Sequence, residues 1–497
     1  MDTAALDADI PKEEKTKDSF VKKTNHRKNL PAIMPSHEDV SIWSILKQCI
    51  GKDLSKITMP IVFNEPLTFL QRLAEYMEYS QLLEKADASE NPIDRMEYVA
   101  AFAVSGCATN WERLGKPFNP LLGETYEFDM PEQGYTMVCE QVCHHPPISA
   151  FHAESKKYLF HGSIQPKSKF WGKSLEVQPL GVINLELLNH HECYTWTNPN
   201  CTIHNIIMGK LWIEHSGSLD ITNHTNGYKC SLNFRPNGGK EINRVDGFVY
   251  DQRNKGVRSI YGNWNEYLKS SEATLLKDYL TEDSKNISNF IAKTKSLSKK
   301  AFQFQTLLAE NPGLVTTEDQ ESQEISADYS KFAKYVLQLP HSKLLWSYTP
   351  KPINAKQMFN FSYFSLMLNE PPSNPEELPA TDSRFRPDLR QYENGKIDAA
   401  SSLKTALEEK QRAAAKALKA MGAAEIAAIK IDPSKISKLI DLNQLRNCDL
   451  VKGPLWFSPT KNPYFKSNSD NVDWKFDENY WNRKYSQCPK IFDLPTN

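Results

Sequence analysis

"SLDITNHTNGYKCSLNF", Ser218 to Phe234, is the stretch on which the fold turns. Two strand-like segments, "SLDITNH" and "YKCSLNF", flank Asn226-Gly227. That dipeptide tolerates the positive φ angles of a tight hairpin, so the spacing predicts two antiparallel strands joined by a two-residue turn. The same character extends outward from about Lys116 to Leu268. Turn signals recur there at roughly the 8–12-residue spacing expected of an all-β sandwich or barrel, among them Gly134, Pro146-Pro147, Gly162, Gly181 and Asn254-Lys255-Gly256. Helical patterns do not interrupt them, which argues against a parallel βαβ sheet. So many strands favour a barrel, because closure removes exposed edges. A barrel of that size cannot fill itself with side chains and holds a cavity.

The flanks are different. Residues 1–35 read as a solvated, disordered tail. "SHEDVSIWSILKQCIG", Ser36–Gly51, reads as a short helix with Ser36 as N-cap and Gly51 near its C-terminus. Its apolar side, including Trp43, Leu46 and Ile50, suits either a packed helix or a lid over an apolar chamber. We therefore take 36–61 as a lid region. Two further helices over 62–115 open near Pro66 and Pro92, where proline suits a first turn. Residues 116–370 form the β core, with strand character returning at "SKLLWSYTP" and "MFNFSYFSLMLN" after a polar 270–330 insertion. Residues 371–497 form a C-terminal subdomain. It holds a Pro-rich break, a long Ala-rich helix from about Asp398 and an aromatic tail, "WKFDENYWNRKY". The fold class expected is β-dominated α+β.

The 497 residues carry a formal charge of −1, so no global basic field for nucleic acid exists and anion binding must rest on local clusters. The first thirty residues lack the apolar core of a secretory signal, and "YVAAFAVSGCA" is about half the length a bilayer crossing needs. Nine cysteines without a paired framework read as reduced thiols. A soluble, cytoplasmic protein is the expectation.

One segment carries most of the chemistry: "EQVCHHPPISAF", Glu140–Phe151. Strand-like "GYTMVCEQV" and "ISAFHAES" place His144-His145-Pro146-Pro147 at a turn that the prolines stiffen. Cys139, Cys143, His144 and His145 are all zinc-ligand types, but the two cysteines would lie ~13 Å apart along a strand. No metal site and no cofactor is expected. Cys143 beside His144 resembles a nucleophile–base pair in sequence only, so no catalytic residue is assigned. A merely structural turn stays open. So does an anion grip, because Lys116 precedes a second Pro-stiffened turn containing Asn119. In the C-terminal helix Lys404, Glu408 and Arg412, at i, i+4 and i+8, share one edge. That row is either a solvated salt-bridge row or a cationic rim.

"EQVCHHPPISAFHAE" closely resembles the EQVSHHPP fingerprint of the oxysterol-binding protein-related proteins. "GKPFNPLLGETYE", "KFWGKS", "YTWTNP", "HNIIMGKLWIEHSG", "DSRFRPDLR" and "LEEKQR" follow in the family's order, nearest to its type-one and type-two members. The resemblance implies a large incomplete antiparallel β-barrel around a hydrophobic tunnel, closed by an N-terminal lid. It implies one lipid at a time, a sterol or a phosphoinositide (mono- or bisphosphate). The phosphate would be gripped by Lys116, Asn119, His144, His145, Lys404, Glu408 and Arg412. It further implies transient, peripheral contact with organelle membranes and no enzymatic step. A lipid sensor whose lid state recruits partners is the rival, and a hydrolase using His144 and Cys143 the third reading. Position 143 is Cys where the family has Ser. The segment from about Ala413 to Asp449 is extra, no acidic tract with paired phenylalanines marks an ER-anchor motif, and the chain reads as a bare lipid-binding domain.

Overall fold

The computed structural model describes residues 26–35, 60–206, 210–237, 242–281, 339–426, 453–464, 472–486 and 488–494, with side chains of the last long helix described to residue 416. The predicted lid residues Trp43, Leu46 and Ile50 lie outside them, as do most of the 270–330 insertion and residues 427–452.

A short strand β1 (Asn64–Thr68) leads into helix α1 (Phe69–Ala74), a 3-10 segment Glu75–Tyr79, and helices α2 (Gln81–Asp87) and α3 (Pro92–Ala108). The expectation that Pro66 opens a helix is corrected. Pro66 sits within β1, and the helix starts later because Thr68 and Gln71 form a reciprocal capping box. Pro92 does occupy the first turn of α3, capped by Asn91. Strand β2 (Lys116–Phe118) pairs in parallel with β1.

The main sheet has fourteen strands. They are β3 (Thr125–Met130), β4 (Tyr135–Cys143), β5 (Ile148–Ser155), β6 (Tyr158–Phe170), β7 (Leu175–Leu180), β8 (Ile183–Leu187), β9 (Glu192–Trp196), β10 (Asn200–His204), β11 (Trp212–Asn223), β12 (Lys229–Phe234), β13 (Arg244–Tyr250), β14 (Gly256–Asn263), β15 (Tyr267–Glu272) and β16 (Lys343–Ser347). All their pairings are antiparallel, and β3 and β16 lie at the two ends of the order, so the barrel is incomplete. Both ends are covered, as unpaired edges require. The β3 edge meets Thr381 and Asp382, with Thr125 N donating to Thr381 O at 2.9 Å. At the β16 edge Lys343 pairs with Asp94 and Glu97 of α3.

The two longest strands each serve two sets of neighbours. Residues 158–162 of β6 pair with β8, and 165–170 with β7. In β11, residues 212–216 pair with β10, and the rest with β12 and β9. The outer half of β6, β7, β10 and the first half of β11 thus form a four-stranded ribbon. Gly181 permits the chain to pass from β7 to β8: its φ is +121°, and a Cβ there would lie 2.0 Å from the Ser163 carbonyl oxygen.

The Ser218–Phe234 hairpin exists, with Leu219 opposite Leu232 and Thr222 opposite Lys229. Its connection is longer than the two residues predicted. Asn223 N donates to Tyr228 O, and Asn223 Oδ1 accepts from the amides of Thr225 and Asn226. The asparagine side chain nucleates an Asx turn that spends four residues where Asn-Gly alone would spend two. A second departure is "MFNFSYFSLMLN". Its alternation mimics a strand, but Phe359 and Asn360 take positive φ. Ser362 then caps a one-turn helix α4 (Tyr363–Met367). The sheet ends at Ser347.

Helices α1–α3 pack onto the inner face of the sheet in one continuous apolar core that includes Leu67, Met77, Phe102, Phe151 and Phe160. Phe102 and Phe160 meet edge-to-face at 5.1 Å. The outer face of β4 and β5 is covered too. Strands β17 (Phe457–Lys461) and β18 (Val472–Phe476) bring Phe457, Phe476 and Tyr480 onto Val138, Val142 and Ala150. This gives the aromatic tail its purpose. Buried Glu140 fastens the hairpin by accepting the amides of Leu455 (2.5 Å) and Trp456 (2.8 Å). Helices α5 (Pro387–Glu393) and α6 (Ile397–Ile426) complete the C-terminal part.

Candidate functional site

Three segments far apart in sequence meet at one end of the sheet. Lys116 begins β2, held there by Asn64 Nδ2, which donates to Lys116 O at 3.0 Å. Its Nζ donates to Asn119 Oδ1 at 3.1 Å. Lys116 is exposed to solvent, yet many protein atoms crowd around its ammonium. This burial, with Lys404 nearby, pulls its pKa down to about 8, against the opposing pull of Glu408.

The turn after Asn119 is rigid for a visible reason. Glu124 Oε2 accepts Leu121 N at 2.9 Å. Beneath it lies Arg386, fully buried, which donates to Asn119 O (2.8 Å) and Glu124 (2.9 Å) and forms an ion pair with Asp388 (2.8 Å). The turn is joined to β4 through Gly123 N to Gln141 O and Gln141 N to Glu124 O. Sequence reading missed Arg386 as a member of this site, although it lies in the quoted "DSRFRPDLR"; dense charge around a proline was the available signal.

His144 and His145 do occupy the turn between β4 and β5, with a cis His145–Pro146 peptide bond. Their rings are 4.6 Å apart between centroids. Gln141 shapes this turn, donating to Cys143 O at 2.9 Å and accepting Ser149 Oγ at 2.5 Å. His145 is exposed, whereas His144 is half-buried and its Nδ1 has no hydrogen-bond partner. Burial, then the neighbouring His145, push the His144 pKa down to about 4, against the Pro120 carbonyl and Glu408. The His144 imidazole is therefore neutral near pH 7. Cys143 keeps its proton, since burial raises its pKa, and among the described residues no cluster of three His, Cys, Asp or Glu side chains could hold a metal.

Helix α6 brings the third group. Leu407 is buried with Leu121, Ile491 and Phe492, which docks the helix against the Asn119–Glu124 turn. Leu122 N donates to Gln411 Oε1 at 3.3 Å, and Lys410 Nζ donates to the carbonyls of Lys490, Ile491 and Asp493. On this edge Lys404 is buried and lies 2.7 Å from Glu408, while exposed Arg412 lies 3.6 Å from it. Glu408 stands between two cations and faces both Lys116 and His144. Both i,i+4 pairs of a salt-bridge row are therefore present, with the Lys404 end buried and the Arg412 end exposed. Lys116, Asn119, His144, Lys404 and Glu408 share one neighbourhood, with His145 and Arg412 on its solvent side. The formal sum of Lys116, Lys404, Glu408 and Arg412 with all charged is positive, which suits a compact dianion.

The sequence model of a family described as oxysterol-binding protein matches residues 41–485. The chain is 46% identical over 472 residues to oxysterol-binding protein-related protein 1 of Rattus norvegicus, covering 94% of this chain and 44% of that protein. It thus spans less than half the length of that relative. Its identity to oxysterol-binding protein-related protein 2 of Mus musculus is 44% over 472 residues, with 94% and 88% covered. The solved Osh1 ORD domain in complex with cholesterol superposes with a TM-score of 0.68 at 29% identity, covering 95% of this chain and 94% of that one. The Osh3 ORD in complex with PI(4)P from Saccharomyces cerevisiae shares the fold at a TM-score of 0.64 and 24% identity, with 94% and 99% covered. The family model spans most of the chain and the relatives align over nearly all of it, so the chain belongs to the oxysterol-binding protein family.

Proposed function

We propose that the protein binds one sterol or one phosphoinositide at a time and exchanges the two between membranes. The observation that carries this is the cationic cluster at the rim of an incomplete, apolar-lined barrel. Lys116, Lys404 and Arg412 would neutralise the phosphate, with Arg412 giving paired contacts from its guanidinium and Asn119 and His145 donating hydrogen bonds. His144, neutral when empty, would gain a proton or donate from one nitrogen once the anion arrives. Glu408 would keep Lys404 and Arg412 aimed. The sterol leg rests on burial, at about 25 cal/mol per Å² of apolar surface, and on the cholesterol held by the Osh1 relative at 29% identity. Residues 36–61, with Trp43, Leu46 and Ile50, would act as the lid, 116–370 as the binding core and 371–497 as the subdomain that supplies the basic helix. No bond in either lipid is made or broken.

The test is extraction from liposomes. His144→Ala/His145→Ala is expected to abolish phosphoinositide extraction while sparing sterol uptake. Equal loss of both ligands would mean a structural turn and overturn the assignment. Tight binding of both lipids with negligible transfer would favour the sensor instead.

A further inference from the structure

The four-stranded ribbon ends in an exposed aromatic tip outside the cationic cluster described above. Trp171 stands at the β6–β7 tip with 57% of its surface exposed. The tip is ordered by the chain itself: Trp171 N donates to Ser174 O at 2.9 Å, and Ile206 N from the neighbouring β10–β11 tip donates to Lys173 O at 3.2 Å. The Lys169 ammonium sits 3.8 Å from the indole centroid, and the indole N–H donates to Glu176 at 3.1 Å. Lys167, Lys169, Lys173 and Lys210 are all exposed. Among the described tip residues 167–176, 200–206 and 210–216, the carboxylates are Glu176 and Glu214, both at the level of Thr202 and further from the tip than Trp171 and Lys173. Register fixes where this tip lies. Ser149 pairs with Ile164, and β6 then runs six residues further, to Phe170, on the side of the His144–Pro147 turn. Tip and cationic rim therefore emerge at the same end of the sheet.

We propose that this tip is a membrane anchor, with Trp171 inserting at the headgroup level of an anionic lipid surface and the four lysines meeting its charge. The chemistry is that of interfacial aromatics flanked by cations: an amphipathic ring with one polar edge, on a stiff support, ringed by positive charge. This rests on the lipid-exchange reading for its purpose, since a rim that unloads lipid must be held at a bilayer.

The experiment uses the full chain and phosphatidylcholine vesicles containing phosphatidylserine, free of sterol and phosphoinositide. Sedimentation gives the bound fraction, and sterol uptake from cyclodextrin is measured alongside. Trp171→Ala is expected to weaken vesicle binding about tenfold, the worth of one buried apolar side chain. Lys169→Glu/Lys173→Glu is expected to weaken it by more than tenfold and to remove most of its salt dependence, while Trp171→Phe retains most binding. All variants should take sterol from cyclodextrin as the wild type does. Vesicle binding by Trp171→Ala equal to wild type, or a wild type that stays in the supernatant, overturns the anchor. A wild type that binds vesicles but takes up no sterol fails the exchange reading instead and leaves the anchor standing.

Discussion

Raising the pH should weaken headgroup binding through one lysine. Lys116 has a pKa of about 8, pulled down chiefly by burial and then by Lys404. A bound phosphate supplies opposite charge and should restore it to at least the ordinary value near ~10.5. Binding then takes up a proton wherever empty Lys116 is deprotonated. At pH 8 about half a proton enters per headgroup; the unscreened loss of affinity by pH 9.5 would be about 30-fold, and because Lys116 is exposed, solvent screening should cut it to about tenfold or less. The sign for folding is opposite. Between about pH 8 and ~10.5 the unfolded chain holds the proton that the folded protein has lost, so the empty protein gains stability as pH rises through that window. The assay is calorimetric titration with the soluble inositol phosphate headgroup, in two buffers of different ionisation enthalpy, from pH 7.5 to 9.5. Lys116→Met should bind weakly and without proton uptake in this range, and Lys116→Arg should bind without pH dependence, because a guanidinium stays charged. Affinity that is flat for the wild type across this range, or that falls equally in Lys116→Met, would refute the reasoning.

Other consequences follow from the same geometry. Leu407→Ala should loosen α6 from the Asn119–Glu124 turn by about 2–5 kcal/mol of local packing; headgroup affinity should fall in calorimetry while sterol uptake persists, and unchanged headgroup affinity would sever the helix from the site. Arg386→Met strands Glu124 and Asp388 in the interior and should cost about 3–5 kcal/mol in urea denaturation, with Arg386→Lys recovering part; an unmoved midpoint would show that the buried pairs carry no such burden.

Much of the β core was legible because it rests on local signals. Turn residues at regular spacing announced the strands, and alternation placed β4 and β5 on either side of the histidine turn. What misled was local chemistry that imitates another element. Asn223 opened an Asx turn that no Asn-Gly count reveals, and Phe359 and Asn360 broke a strand-like pattern through positive φ angles. The candidate site was readable only in pieces. The spacing of Lys404, Glu408 and Arg412 showed a shared edge but not what the edge faces. That depends on Leu407 meeting Ile491 and Phe492, residues more than eighty positions away, and on a buried Arg386 under the Asn119 turn. Long-range packing of this kind leaves no periodicity in the sequence.

On the proposed reading, the residues of the candidate site are arranged to favour an anion. Lys116 is pushed towards its neutral form, His144 carries a buried Nδ1 without a partner, and Lys404 is occupied by Glu408. The first two are unfavourable arrangements that a phosphate would relieve, by restoring a charge or supplying an acceptor, and the third is a cation already aimed by its partner. A sterol brings no charge and relieves none of them. The two ligands should therefore answer pH differently: phosphoinositide affinity falls between pH 7.5 and 9.5 while sterol affinity stays level, so alkaline conditions move the balance towards sterol. Competition of the two lipids for the protein at pH 7.5 and at pH 9.5, read by the displaced ligand, measures that shift. Parallel loss of both would mean that pH acts on the barrel as a whole, and the cluster would lose its claim to tell a charged lipid from a neutral one.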